Sequence, residues 1–249
     1  MRNYTKLVGA LAAASALVAG HASAEIEGEV HVGYASMYEF RFVDFGDNLV
    51  EAGVDLSASY WGLDFTAGAW YGSVTDSNYD FNELDLYAGV SKKLGPVTVE
   101  GGFIYYNYQD VAPGVQNTEE VYIGAKTEIY WGINFGARLY WDVDANSGFY
   151  FQPELTKSFS FIENCLSLDV ATGIGYADGL GSQLSSHGTG TKDGYQGFYV
   201  SAALPWKFRD NVTLTPYVRL TDADNKLVTG FSDAGQNFLI GGVKVAVSF

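Results

Sequence analysis

Charged side chains recur at every second position of otherwise apolar segments, and they are the residues with the most chemistry to offer. Glu51, Asp55, Asp64, Glu83, Asp85, Glu100, Glu120, Glu128, Asp142, Glu154 and Asp169 supply eleven carboxylates, against four bases at Lys126, Arg138, Arg219 and Lys244. Tyr87, Tyr122, Asn134, Tyr140, Gln152, Thr213, Thr215 and Tyr217 fall on the same alternate face. Around a water-filled bore, such an acidic excess lowers the potential, favours cations and disfavours anions. The competing reading pairs the bases with the acids in a network that plugs the bore. Gly53, Ser57, Ser59, Gly68, Gly89, Gly136 and Gly173 also fall on this face. They leave room, which favours an open passage.

Other reactive groups are sparse. The three histidines are His21, His31 and His187. Ser185 and Ser186 adjoin His187 in a Gly/Ser-rich stretch, but adjacency in a loop does not build the nucleophile–base geometry that a hydrolase requires. Asp142-Val-Asp144-Ala-Asn146-Ser-Gly148 spaces oxygen ligands like the start of a calcium loop. Its glycine is one position late and no Glu closes it, so an ordinary turn explains it as well. The acidic stretches Asp76–Asp80 and Asp222–Asp233 carry no metal motif. The single cysteine, Cys165, has no partner for an internal disulfide. The residues therefore point away from an enzyme, and no catalytic residue, cofactor or metal ligand is assigned.

The elements that must position the charged face are strands. Val50, Ala52, Val54, Leu56, Ala58 and Tyr60 alternate with Glu51, Gly53, Asp55, Ser57 and Ser59. The same period of two continues from Leu63 to Gly72 and from Glu83 to Val90, where helical spacing does not fit. Twelve such segments are expected near 28–40, 49–60, 62–73, 82–92, 96–108, 119–130, 132–142, 148–159, 165–176, 195–207, 211–221 and 237–249. The last of them, Asn237 to Phe249, is apolar on one face and small or polar on the other. Ending on Phe, it resembles the terminal strand of bacterial outer-membrane barrels. Left unpaired it would expose a sheet edge, and pairing with the first strand removes that edge.

The connections divide into two kinds. Tyr60–Gly62, Lys92–Pro96, Tyr130–Gly132, Ser160–Asn164 and Lys207–Asn211 are short. Phe42–Asn48, Val74–Phe81, Gln109–Thr118, Val143–Ser147, Ala177–Gly194 and Asp222–Gln236 are mostly longer and polar. Strict alternation of short and long separates a periplasmic side from an extracellular one. Trp61, Trp131 and Trp206 sit by short turns and Trp70 and Trp141 by long loops, as two interfacial girdles would require. Tyr60-Trp-Gly-Leu-Asp-Phe65 recurs as Tyr130-Trp-Gly-Ile-Asn-Phe135.

Residues 1–24 read as a secretory leader: Arg2 and Lys6 precede an apolar run, and Ala22-Ser23-Ala24 fits a cleavage site. The remaining segment, 25–249, holds 12 basic and 29 acidic residues, a net charge of −17. So acidic a chain is a poor partner for nucleic acid. After the leader, no apolar run is long enough for a transmembrane helix.

Tyr38-Glu-Phe-Arg-Phe-Val-Asp-Phe-Gly46, Glu83-Leu-Asp-Leu-Tyr-Ala-Gly89 and Gly102-Phe-Ile-Tyr-Tyr-Asn-Tyr108 are similar to runs in the TorF-type porin family of Gram-negative outer-membrane proteins. That family typically has Tyr-x-Phe-Arg-Gly in the first run, where this chain places Phe42 after Arg41. The resemblance implies an outer-membrane barrel and brings no substrate or catalytic residue.

The expectation is an all-β protein: one closed antiparallel transmembrane barrel of about twelve strands, with short periplasmic turns and longer extracellular loops. Its partners are outer-membrane lipid and small solutes or ions, with oligomeric state left open. The expected function is passive diffusion of small, cationic or neutral solutes past Glu51, Asp55, Asp64, Glu83, Asp85, Glu100, Glu120, Lys126, Arg138, Glu154, Asp169, Arg219 and Lys244. Alternatives are a plugged structural or adhesin-like barrel binding through its loops, and an outer-membrane lipid hydrolase. With an acidic hydrophilic lumen, a packed apolar interior is not expected.

Overall fold

The computed structural model describes residues 25–75, 81–109, 116–180, 190, 191, 193–224, 228, 229 and 237–249. The leader, the Ser185–His187 group, the acidic stretch 76–80 and most of 222–233 lie outside the described residues.

The alternating segments form strands. They are β1 (Ile26–Phe40), β2 (Val43–Tyr60), β3 (Leu63–Val74), β4 (Phe81–Leu94), β5 (Val97–Gln109), β6 (Thr118–Tyr130), β7 (Ile133–Asp142), β8 (Phe149–Ile162) and β9 (Leu166–Asp178). After these come β10 (Gly190–Thr191), β11 (Gly194–Ala203), β12 (Trp206–Arg209), β13 (Val212–Ala223), β14 (Val228–Thr229) and β15 (Asn237–Ser248). The wall runs from β1 to β9 in chain order, then through β11 with β12, β13 and β15. β11 and β12 are one wall strand interrupted at Leu204-Pro205, since Pro205 has no N–H for the ladder. The wall therefore has twelve antiparallel strands. β10 and β14 pair separately as a small two-stranded ladder.

β15 closes on β1 from Glu29↔Ser248 to Ala35↔Gly242. Gly28 and Phe249 exchange two backbone hydrogen bonds, of 2.9 and 2.8 Å. Among the described residues, closure leaves no open ladder in the wall, the only arrangement in which strands can stand in hydrocarbon. Val30, Val32, Val50, Ile123, Val218 and Leu239 are exposed on the outer face. So much exposed apolar surface is suited to lipid.

The repeated Tyr-Trp-Gly units are two-residue hairpin turns. Trp61 and Gly62 have φ of 55° and 70°, and Trp131 and Gly132 have 50° and 72°. This left-handed pair is the type I′ geometry that suits the twist of a hairpin, with glycine at the second position. Trp61 is 83% and Trp131 75% exposed, each stacked on its preceding tyrosine at the chain-termini end of the barrel. That is where an interfacial girdle belongs.

Two expectations fail at the opposite end. Phe42–Asn48 is not a long loop: β1 turns into β2 through Arg41 and Phe42 alone, with φ of 53° and 71°. Asp44, Gly46 and Asn48, which read as loop residues, are absorbed by a bulged ladder, in which Gly46 N–H donates to Asp44 Oδ1 at 2.8 Å. Strict alternation of short and long connections therefore breaks at the first hairpin. Trp70 is not in a girdle. It faces inward, donating to Glu51 Oε2 at 2.8 Å and packing 5.6 Å from the Tyr38 ring.

A packed apolar interior does exist, also against expectation. Phe42, Val43, Phe45, Leu49, Phe81, Tyr150, Tyr199, Phe238 and Ile240 form a buried cluster inside the barrel at the hairpin end. The tip of β1–β2 folds into the bore and brings its own apolar side chains.

Candidate functional site: the barrel lumen

Cross-strand partners share a face, so register fixes the inner wall. From Glu51 the pairing runs to Gly72, Glu83 and Tyr108; from Asp55 it runs to Gly68, Tyr87 and Ile104, and on to Glu120 and Asp142. On the other side, Glu154 pairs with Gly173 and then Tyr199, Ser201 with Arg219, and Lys244 with Gly33.

Near the chain termini the face is polar. Asp64 accepts from Ser59 Oγ at 2.6 Å, and Asp169 from Ser158 Oγ at 2.6 Å. Asp55 accepts from Tyr87 Oη at 2.5 Å and lies 3.4 Å from His31 Nδ1. Arg138 makes two bonds to Glu100, of 2.5 and 3.2 Å. Further along the bore, Tyr199 of the buried cluster donates to Glu154. Lys126 and Lys244 make no ion pair among the described residues.

At the hairpin end, Arg41 reaches β6 and donates from Nη1 and Nη2 to the two oxygens of Glu120, 2.7 Å each. The rings of Phe40, Tyr140 and Tyr150 surround its guanidinium at 4.5–4.9 Å. Glu120 also accepts from Tyr106 Oη at 3.0 Å. Bidentate, ring-stacked arginine is the form of cation best suited to burial. A second pair joins Glu39 to Arg219 on β13 at 2.7 Å. Tyr38 Oη donates to Glu83 on β4 at 2.7 Å. The Phe42 ring fills the space over Gly175 and Gly197, where an added Cβ would stand 2.3 and 2.8 Å from it. The hairpin thus touches β3 to β9, β11 and β13, most of the way around the wall.

Two internal cavities accompany it. One of 470 Å³ lies against the hairpin and is lined by Glu51, Asp85, Tyr87, Tyr140, Gln152 and Arg219, among others. Another of 330 Å³ is lined by Glu100, Lys126, Asn134, Arg138, Glu154 and Thr156, among others.

Alternation picked out the charged inner face but missed Glu29, Tyr38, Glu39 and Arg41. The available signal was the loss of alternation at Phe40-Arg41-Phe42-Val43, where apolar residues occupy both faces. Asp142 follows the ordinary-turn reading. Its buried carboxylate accepts from Thr118 Oγ1 at 2.8 Å and from the backbone N–H groups of Asp144 and Asn146 at 3.1 Å each. The three runs that carry the family resemblance meet in space. Tyr38–Gly46 is the folded-in tip, Glu83 holds Tyr38, and Tyr106 packs 5.9 Å from Phe40.

Residues 19–246 match a bacterial protein family of unknown function (Gcw_chp). No curated protein matches the chain in sequence. Among solved structures, the KdgM porin superposes with a TM-score of 0.53 at 13% identity, over 89% of this chain and 99% of that one. The NanC porin gives 0.53 at 13% identity, over 89% and 98%. The COG4313 outer membrane channel from Pseudomonas putida F1 gives 0.55 at 9% identity, over 92% and 97%. Likenesses at these identities establish the porin-type barrel fold.

Proposed function

We infer, for a chain that belongs to the Gcw_chp family of bacterial proteins of unknown function, a narrow outer-membrane diffusion channel whose extracellular mouth is stopped by its own first hairpin. The observation that carries this reading is a closed twelve-strand wall whose inner face is charged and polar and encloses cavities of 470 and 330 Å³. A wall meant only to be filled has no use for such space. In this reading residues 1–24 deliver segment 25–249 to the outer membrane, and the turn end faces the periplasm. The pore-lining set is Glu51, Asp55, Asp64, Glu83, Asp85, Glu100, Glu120, Lys126, Arg138, Glu154, Asp169, Arg219 and Lys244. Arg41 neutralises Glu120, Arg138 neutralises Glu100, and Arg219 is matched by Glu39. The remaining acids outnumber Lys126 and Lys244, which favours small cationic or neutral solutes. The narrower TorF-type assignment is supported by the meeting of its three runs at the hairpin.

A second reading is favoured by the hairpin itself: with nine wall strands in contact, the barrel is a plugged structural protein that binds through its outer loops. Single-channel recording in planar bilayers separates the two. The channel reading expects small cation-selective currents, with reversal potentials in asymmetric salt that move toward zero in Glu51→Gln. Absence of current in the native protein and in a variant with the hairpin tip shortened would establish the plug. Anion-selective currents would overturn the charge argument.

A further inference from the structure

We propose that Glu29, His31 and Asp55 form a binding site for a divalent transition-metal ion of the zinc type, inside the barrel at the end where the chain termini meet. The site stands on these three side chains and is independent of whether the barrel conducts.

The register assembles it. Glu29 and His31 are two apart on β1 and share the inner face, and Asp55 on β2 stands directly opposite Glu29. One ligand atom from each lies within 4.8 Å of the others. Directly opposed like charges destabilise a strand pair. Neither carboxylate has a lysine or arginine ion partner among the described residues. A bound dication would supply the charge that opposes the two carboxylates.

The imidazole is the independent observation. His31 is 9% exposed, and its Nδ1 is buried with no hydrogen-bond partner. That nitrogen is aimed at Asp55 Oδ2, 3.4 Å away. Ligand atoms of a tetrahedral zinc lie roughly 3.3–3.6 Å apart, so this pair already has the spacing of two ligands. Gly53, opposite His31, makes the ring's position possible, because an added Cβ would stand 2.5 Å from both Cε1 and Nε2. Tyr87 Oη holds the other Asp55 oxygen at 2.5 Å, the outer-sphere support that orients a metal-binding carboxylate. A 500 Å³ cavity beside Glu29 and Asp55 gives an ion entry and leaves room for a water as fourth ligand. One nitrogen and two carboxylate oxygens suit zinc better than calcium or magnesium, which take oxygen alone.

The test uses the untagged full barrel, folded in detergent and stripped with chelator, titrated with Zn²⁺ by calorimetry. One ion per chain is expected, with affinity reduced at least tenfold in His31→Ala, Glu29→Gln and Gly53→Ala. Heat-modifiable gel migration confirms that each variant is folded. Co²⁺ added to the native protein reads the same site without any substitution, and visible ligand-field bands from a nitrogen-containing site are expected. The assignment is overturned if the native barrel binds no zinc and shows no cobalt bands. It is equally overturned if folded His31→Ala and Glu29→Gln bind zinc as the native protein does, which would place the ion in the acidic loops.

Discussion

Replacing Glu120 with alanine is expected to release the hairpin from the bore. Glu120 is 1% exposed, and the Arg41 side chain that binds it is 10% exposed. Truncating one member of so buried a pair strands the other charge, at a cost of roughly 3–5 kcal/mol. The barrel can escape that cost by letting the tip lift and Arg41 reach water. Since about 1.4 kcal/mol is a factor of ten, the ratio of seated to lifted tips falls by roughly two to three and a half orders of magnitude. What still holds the tip is the Glu39–Arg219 pair, the Tyr38–Glu83 bond and the buried Phe42 ring. The ring contributes roughly 2–3 kcal/mol of burial, offset by roughly 1–2 kcal/mol for its left-handed backbone. Two assays read the outcome. Trypsin cleaves after Arg41 only when the tip is out, so cleavage accelerates in Glu120→Ala while heat-modifiable migration of the barrel stays unchanged. Mean current in planar bilayers rises in parallel. Unchanged cleavage and unchanged current would refute the idea that this ion pair keeps the mouth shut.

Phe42 separates packing from backbone strain: Phe42→Ala loses the ring and keeps the strained φ, whereas Phe42→Gly loses the ring and relieves it. The alanine variant is therefore expected to hold the hairpin less well than the glycine variant by roughly 1 kcal/mol, read as amide exchange at residues 39–46. Gly175→Ala places a methyl where the Phe42 ring lies. It is expected to raise tryptic cleavage at Arg41 as Glu120→Ala does, with the wall intact by gel migration. Asp142→Ala removes an acceptor that serves Thr118 and two backbone N–H groups, so a loss of roughly 2–3 kcal/mol is expected, measured as a lower unfolding midpoint in urea.

Alternation reveals which face a residue occupies but not its depth in the barrel or what comes to meet it. The wall was legible for that reason: Val50 to Tyr60 sorts its side chains by a local rule, and the Trp61-Gly62 turn carries its own chemistry. The folded-in hairpin was not. Asp44, Gly46, Asp47 and Asn48 have turn composition, and only partners far along the chain, such as Glu120 and Arg219, decide that the segment continues as strand. Trp70 shows the same limit. Its position near a strand end suits a girdle, but its parity puts it inside, where Glu51 takes its N–H. The His31–Asp55 pairing needed the register of β1 on β2, which neither strand reveals alone.

The strand that closes the cylinder also carries its stopper. Glu39 belongs to β1 and Arg219 to β13, and the two are separated in the ring only by β15. In a sheet that has not yet joined its ends these strands stand at opposite margins, so their ion pair has no counterpart before the last zipper forms. Docking of the hairpin onto β13 is thus tied to completion of assembly, and a sheet stalled before its final joint would hold the tip by its β4 and β6 bonds without this one.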